Sequence, residues 1–271
     1  MGGRKVLITG AGSGLGLALA HRYAASGDAV ACIDLDAERA QAASAALPGS
    51  GHIAMTADVG DDASMTSLRD AVLEQWGAPD VLVNNAGIAS GGSLLDSTMA
   101  EWREVLEVNL LGVVRGCQAF LPGMLERGSG SILNIASFAA LAGAPSIMSY
   151  GVAKGAVLTL SEQLRAELHG QNVSVSVACP AFFQTNLLQQ WRGNEAMKAH
   201  AAKMMSRSSD TLDGVADNIF GAFERGQFLI LPTRGAAMRW RLRRWLPSVY
   251  FRQLMAQVAA RKSSRHTGAA R

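Results

Sequence analysis

Short apolar runs alternate along the chain with longer segments in which apolar residues recur at helical spacing. The first run, residues 5–9 (KVLIT), ends in glycines, and residues 14–26 then place Leu15, Leu19 and Tyr23 on one side of a helix. The same alternation predicts further strands at 29–33, 52–56, 80–83, 131–135, 173–178 and 227–231, and further helices at 36–47, 63–76, 98–125, 149–169 and 210–225. This order is typical of an α/β fold whose doubly wound parallel sheet, of about seven strands, is covered by helices on both faces.

Two stretches break this alternation. Residues 181–209 form an insert before the last predicted helix, and residues 234–271 follow the last predicted strand. We therefore predict a single domain over residues 1–233, with a lid at about 181–209, and a separate C-terminal extension over 234–271.

The composition favours a folded, cytoplasmic protein. Hydrophobic residues make up 49% of the 271 and charged residues 17%, which excludes a disordered chain. No apolar run approaches the ~18 residues typical of a membrane-spanning helix, and the N-terminal residues lack the apolar segment of a secretory signal. The three cysteines are predicted to be reduced core residues, and the five histidines show no ligand spacing, so no metal site is expected.

A glycine-rich turn, TGAGSGLG at residues 9–16, joins the first predicted strand to the first predicted helix. Glycines there let the backbone approach a pyrophosphate, and the helix N-terminus offers free N–H groups to it. Asp34 ends the second strand, where a carboxylate can bind the adenosine ribose and repel a 2′-phosphate. No Arg or Lys lies in the glycine turn or directly after Asp34, and the next basic residue, Arg39, is five residues further on. These features predict NAD in preference to NADP. A helix-capping role for Asp34 stays open, although Asp36 is the better N-cap candidate.

Three further motifs follow later strands in order. Residues 84–87 read NNAG after the fourth strand, Ser137 follows the fifth, and Tyr150 and Lys154 open the next long helix. Together with the glycine turn, these motifs resemble the short-chain dehydrogenase/reductase family over about residues 4–232. The resemblance implies a single-domain Rossmann fold, an NAD(P)-dependent oxidoreductase acting on CH–OH groups, and a homodimer or homotetramer.

The residues themselves indicate the same chemistry. Tyr150 and Lys154 are four residues apart and share one face of a helix. We expect the Lys154 ammonium to lower the phenol pKa of Tyr150 from ~10, so that the phenol acts as a general acid/base. Ser137 can donate a hydrogen bond that orients a substrate oxygen.

The resemblance assigns roles residue by residue. Asn109 matches a helix asparagine that keeps a water near Lys154, and Lys154 also binds the nicotinamide ribose. Asp58 matches a position that contacts adenine, and Thr185 one that contacts the carboxamide. The family's Pro-Gly after the sixth strand is Pro180-Ala181 here, which puts the backbone path after it in doubt. The expected cofactor-binding set is Gly10, Ser13, Gly14, Leu15, Gly16, Asp34, Asp58, Val59, Asn85, Ala86, Gly87, Tyr150, Lys154, Pro180 and Thr185.

The segments expected around the substrate are apolar. They favour a hydrophobic small-molecule substrate over a phosphorylated sugar or small acid, and the expected contacts are Ser137, Phe138, Phe182, Phe183, Leu187, Leu188 and Trp191. Alternatively, these side chains only pack the lid onto the body. Basic residues of the lid either form a solvated face or meet an acidic carrier or nucleotide: Arg192, Lys198, Lys203 and Arg207.

The charge is divided unevenly. Residues 1–233 hold 15 Lys/Arg and 22 Asp/Glu, a net −7, whereas residues 234–271 hold 10 Lys/Arg and no acid, a net +10. Residues 248–260 are predicted to form an amphipathic helix. The extension either packs on its own body or on another subunit, or it makes a peripheral membrane contact. No nucleic-acid partner is expected.

We therefore predict an oxidoreductase that interconverts a hydrophobic secondary alcohol and its ketone, with Tyr150 as the acid/base. Reduction of a 3-oxoacyl thioester is the alternative reaction. A dinucleotide-sensing binding protein without turnover is the alternative outside enzymes.

Overall fold

A computed structural model describes residues 3–268, with side chains described for residues 3–259 except Asn186. Seven parallel strands form one sheet in the order β3-β2-β1-β4-β6-β7-β9. The strands are β1 (Lys5–Thr9), β2 (Ala29–Asp34), β3 (Ile53–Thr56), β4 (Val81–Asn84), β6 (Gly130–Ile135), β7 (Val173–Ala178) and β9 (Leu229–Ile230). A second, two-stranded parallel sheet pairs β5 (Ala89–Gly91) with β8 (Trp191–Gly193). The predicted doubly wound α/β Rossmann fold is confirmed.

Helices cover both faces of the seven-stranded sheet. One layer contains α1 (Gly14–Ala25), α2 (Ala37–Ala46) and α9 (Leu212–Glu224). The other contains α3 (Asp62–Trp76), α5 (Gly112–Arg127), α6 (Ala139–Ala142) and α7 (Met148–Glu167). A further helix, α4 (Met99–Leu106), packs against α7 in a small separate cluster. The insert forms α8 (Glu195–Ser206), and the extension forms α10 (Ala236–Trp245) and α11 (Pro247–Gly268).

Alternation within the strands explains why each reads as a continuous apolar run. In β1, Val6 and Ile8 pack in the core on the α1–α9 side, whereas Leu7 packs in the core on the α3–α5–α7 side. Successive side chains of a strand point to opposite faces, and here both faces are buried. Because all seven strands run parallel, their carboxyl ends lie together at one edge of the sheet.

Three predicted elements differ from those observed. The long helix predicted at 98–125 is α4 and α5 joined by a π-helical turn, Glu107–Leu111. The insert contains a strand, β8, as well as a helix, because its backbone pairs with β5 in a way that short sequence patterns do not reveal. The extension has two helices rather than one over 248–260, and its last residues, 269–271, lie outside the described residues.

The helical segment Met99–Arg127 is long and apolar enough to cross a membrane, by length and composition alone. Its apolar residues have another explanation, since Val113, Cys117, Phe120 and Met124 all pack against the sheet. We therefore interpret it as a core helix.

One core hydroxyl gives a direct test of the packing. Tyr23 of α1 is fully buried, and its ring meets Phe220 edge-on at a centroid distance of 5.0 Å. Its hydroxyl has no hydrogen-bond partner among the described residues. Burying an unpaired hydroxyl costs about 1–3 kcal/mol. Tyr23→Phe keeps the ring contacts, so we expect the free energy of unfolding to rise by about 1 kcal/mol in urea titrations.

Tyr23→Ala is the matched comparison, because it removes the ring and should cost about 3–5 kcal/mol. A Tyr23→Phe protein that unfolds more easily than the wild type would contradict the burial of an unpaired Tyr23 hydroxyl between α1 and α9.

Candidate active site

The glycine turn lies where β1 ends and α1 begins. Gly12 N donates to Asp34 Oδ2 at 3.0 Å, and a Cβ at position 12 would lie 2.7 Å from that oxygen and from Arg39 Cβ. Only glycine therefore fits between the turn and the end of β2. Asp34 therefore lies beside the glycine turn, and its contact with the adenosine ribose stays a prediction.

The N-terminus of α1 is left open to a ligand. Its N-cap residue, Ser13, makes no side-chain hydrogen bond to the helix, and the first turn has no acidic residue. Thr185 of the insert lies above this turn, with its Oγ1 at 3.1 Å from the place where a Cβ on Gly14 would be. Free N–H groups and the positive end of the helix dipole suit a pyrophosphate. The glycine turn, Asp34 and this open helix end together fit a dinucleotide.

The Asp34 carboxylate is buried and has more partners than the sequence suggests. Its Oδ1 accepts from Asp36 N at 3.1 Å and pairs with the Arg39 guanidinium at 2.9 Å. The spacing of five residues hid this pair, because the first turn of α2 folds Arg39 back over the end of β2. Asp36, as expected, caps α2 by accepting from Glu38 N and Arg39 N.

The NNAG segment is tied to the end of β1. Thr9 Oγ1 accepts from the backbone N–H groups of Asn85 and Ala86, both at 3.0 Å. The Asn85 side chain donates to the carbonyls of Thr9 and Gly10. Beyond the end of β3, at the far edge of the sheet, Asp58 is exposed and accepts from Gly60 N at 2.8 Å, and the adjacent Val59 is buried. These contacts align the cofactor-side loops of β1 and β4.

Lys154 is the buried charge of the site. It is only 4% exposed, and its Nζ donates to the Ile135 carbonyl at 2.9 Å. Removal from water disfavours the ammonium and lowers the pKa of Lys154 from 10.5 to about 8. The lysine therefore changes its charge within the pH range in which an enzyme works.

Tyr150 and Ser137 meet beside it. Burial raises the pKa of the Tyr150 phenol, and a hydrogen bond with the Ser137 side chain acts in the opposite direction. The expectation that Lys154 lowers the pKa of Tyr150 is not met in the protein alone. The desolvation that depresses the charge of Lys154 also disfavours the phenolate.

Asn109 is positioned by the π-helical turn between α4 and α5. It is fully buried, with Oδ1 accepting from Ile88 N and Nδ2 donating to Ile88 O, both at 2.9 Å. A Cβ on Gly87 would lie 2.7 Å from Asn109 Oδ1 and 3.4 Å from Lys154 Nζ. Asn109 and Lys154 therefore flank the same glycine, and π turns are frequent at functional sites.

A buried group before Tyr150 was missed from the sequence. Ser149, the first neighbour of Tyr150, is within 2.5 Å of Ser90 Oγ and donates to Glu101 Oε1 at 3.0 Å. Ser90 belongs to β5, which pairs with β8 of the insert. The start of α7 is thus connected to α4 and to the insert. No local pattern signals this, because the three residues come from three separate elements.

The expected apolar wall is only partly available to a substrate. Phe138 and Phe183 are buried in the two core clusters, so packing accounts for both side chains. Phe182 is exposed, and Leu187, Leu188 and Trp191 are half-buried. The backbone path at Pro180-Ala181, where the family has Pro-Gly, is fixed by two hydrogen bonds. Pro180 O accepts from Phe138 N at 2.8 Å, and Ala181 N donates to Thr233 Oγ1 at 3.1 Å.

The extension packs on the segment that follows Ser137. The Arg239 guanidinium lies 4.7 Å from the centre of the Phe138 ring, and Arg243 donates to the Leu141 carbonyl. Tyr250 donates from its hydroxyl to the Ala142 carbonyl at 2.8 Å. The extension therefore forms one border of the predicted substrate region.

Comparisons with known proteins agree with this geometry. A family model described as short chain dehydrogenase matches residues 4–196. The 2-(R)-hydroxypropyl-CoM dehydrogenase of Xanthobacter autotrophicus (strain ATCC BAA-1158 / Py2) is 38% identical over 195 residues, which cover 70% of this chain and 78% of that protein.

Solved structures of other proteins are similar to this protein over most of its chain. A short-chain dehydrogenase/reductase from Burkholderia phymatum in complex with NAD has a TM-score of 0.83 and 32% identity, covering 89% of this chain and 93% of that one. A short-chain dehydrogenase from Sphingobium yanoikuyae in complex with NADPH has a TM-score of 0.76 and 26% identity, covering 93% of this chain and 95% of that one. On its motifs, its fold and these similarities, the chain belongs to the short-chain dehydrogenase/reductase family of oxidoreductases.

Proposed function

We propose that this protein interconverts a hydrophobic secondary alcohol and its ketone, with NAD(H) as the hydride carrier and Tyr150 as the general acid/base. The meeting of the Tyr150 phenol with the Ser137 hydroxyl, four residues before the buried Lys154, is the observation that carries the proposal. Nicotinamide supplies or accepts the hydride when it is bound.

The side chains divide the work at the substrate oxygen. Ser137 donates a hydrogen bond that orients a carbonyl oxygen beside Tyr150, and the Tyr150 hydroxyl delivers the proton that this oxygen gains on reduction. In the reverse direction, the phenolate accepts the alcohol proton. Ser137 Oγ accepts from Ala139 N at 3.1 Å and donates only a long bond, 3.5 Å, to the Pro180 carbonyl, which it would exchange for the substrate oxygen.

Lys154 supports the proton transfer electrostatically. Below about pH 8 it is an ammonium on the same face of α7 as Tyr150, and it stabilises the negative charge that develops on the phenol. Its bond to the Ile135 carbonyl holds it beside Gly87, on the side expected for the nicotinamide ribose. One side chain thus serves cofactor binding and proton transfer.

The ion pairs of the lid favour the proposal of an uncharged substrate. Arg192 is paired with Glu104 at 2.8 Å, and Lys198 lies 3.7 Å from Glu195, so neither is a free cation for a carboxylate or phosphate.

The named substrate of the Xanthobacter relative contains a 2-hydroxypropyl group, which is a secondary alcohol. This favours alcohol–ketone chemistry over the thioester alternative, for which Lys203 and Arg207 are the remaining basic candidates on the lid.

Tyr150→Phe tests the acid/base role. The phenylalanine ring keeps the packing but has no proton to transfer, so we expect a loss of turnover of at least 100-fold with NADH and a panel of ketones. Binding of NADH, followed by its fluorescence, should stay within a few-fold of the wild-type affinity.

Tyr23→Phe is the matched control, because it removes a phenol oxygen from the core and should keep wild-type turnover. Retained turnover in Tyr150→Phe would contradict the mechanism. Binding of NADH without turnover of any ketone or alcohol by the wild type would favour the dinucleotide-sensing alternative.

Asp34→Ser tests the cofactor preference. We expect the wild type to use NAD(H) at least tenfold more efficiently than NADP(H), because the buried Asp34 carboxylate would repel a 2′-phosphate. In the variant, Arg39 loses its carboxylate partner at this position, so the ratio of kcat/KM for NAD over NADP should fall at least tenfold.

Asp36→Ser is the control for this comparison. It also removes a carboxylate next to Arg39, at 3.4 Å, but serine can still cap α2 and position 36 does not face Gly12. A wild-type enzyme that prefers NADPH would overturn the assignment.

A further inference from the structure

The C-terminal extension has an inner side that is already engaged. Arg239, Arg243 and Tyr250 contact Phe138 and the carbonyls at the end of α6, and Trp240 packs against the core on that side. These contacts fix how α10 and α11 sit on the body. They also decide which of their side chains face away from it.

The opposite side of α10 combines apolar and cationic side chains. Met238, Arg241 and Trp245 are spaced at i, i+3 and i+7, so they share one face of the helix. Met238 is 70% exposed and Trp245 75% exposed. We call the exposed set of α10 and early α11 the outer face, and it consists of Met238, Arg241, Arg244, Trp245, Leu246, Phe251 and Arg252.

The aromatic and aliphatic members are unusually exposed for their size. Leu246 is 54% and Phe251 60% exposed, both close to the junction of α10 and α11. Arg241 and Arg252 have no ion-pair partner among the residues that the structure describes. Arg244 lies 5.7 Å from the centre of the Trp240 ring, at the margin of the outer face. Within residues 3–259 the outer face therefore presents exposed cations together with large apolar groups that are more than half exposed.

The sequence around this face has a charge of one sign only. Residues 234–271 contain 10 Lys/Arg and no Asp or Glu, whereas the rest of the chain has a net −7. An interface with another folded protein commonly mixes both signs within the patch. Cations interspersed with Trp, Phe and Leu, without any acid, match the interface of a bilayer with anionic headgroups.

We propose that the outer face of α10 and α11 docks on a membrane surface bearing anionic lipids. Trp245, Leu246 and Phe251 would enter the boundary between headgroups and acyl chains, and Arg241, Arg244 and Arg252 would pair with the headgroup charges. The inner side of the same helices holds the segment after Ser137. Docking would therefore set the substrate side of the enzyme against the bilayer, where a hydrophobic alcohol or ketone is concentrated. The docking itself does not depend on the proposed reaction.

Sedimentation of the full-length protein with lipid vesicles tests the proposal. We expect binding to phosphatidylcholine vesicles that contain phosphatidylserine, little binding to phosphatidylcholine alone, and release by high salt. Each cation near such a surface contributes about fivefold in affinity, so a triple Arg241→Gln, Arg244→Gln, Arg252→Gln variant should bind about 100-fold more weakly.

The matched control removes the same charge elsewhere. Arg103→Gln, Arg165→Gln, Arg225→Gln changes three exposed cations of the body and should leave vesicle binding within a few-fold of the wild type. Trp245→Ser with Phe251→Ser should weaken binding at least tenfold, and the residual binding should be more sensitive to salt. Circular dichroism and turnover of a soluble ketone check that each variant is folded.

Two results would overturn the proposal. One is wild-type protein that stays in the supernatant with serine-containing vesicles at low salt. The other is equal binding by the outer-face and control variants. If Trp245→Ser with Phe251→Ser instead converts an oligomer into a smaller species in sedimentation velocity, without any vesicle binding by the wild type, the outer face contacts a second copy of the chain and the membrane assignment fails.

Discussion

A buried ammonium group at the carboxyl edge of the sheet is the interaction on which the rest of the site depends. Lys154 lies out of water and donates to the Ile135 carbonyl at the end of β6. It is held there because α7 begins beside that strand, and because Gly87 leaves room for its Nζ next to Asn109. Desolvation brings its pKa to about 8. The same burial raises the pKa of Tyr150, so desolvation disfavours the charged form of both groups at this edge of the sheet.

Much of this arrangement follows from sequence because parallel sheets place strand ends together. Alternating apolar runs predicted the seven strands, and residues that directly follow them, such as Asp34, Asn85 and Ser137, had to meet at one edge. The i, i+4 spacing of Tyr150 and Lys154 placed both on one face of α7. The position of a residue could be predicted from the sequence wherever it depends only on the strand or helix to which that residue belongs.

Contacts between distant elements could not be predicted in the same way. The pairing of β5 with β8 and the link from Ser149 to Glu101 and Ser90 join residues whose proximity depends on the whole fold. The effect of burial on Tyr150 was also misjudged, since the sequence shows an ammonium nearby but not the loss of water around both groups. Phe138 and Phe183 look like pocket residues in the sequence, whereas packing uses them in the core.

The pKa of Lys154 tests the account most directly. The chain has five lysines, so the protein labelled with ¹³C- and ¹⁵N-lysine gives few side-chain signals, and Lys154→Met identifies the one that matters. Titrated without added cofactor, this signal should change near pH 8, well below the ordinary value of 10.5. A midpoint at or above 10.5 would show that the ammonium is solvated, and the description of Lys154 as a desolvated group at the carboxyl edge of the sheet would then be wrong.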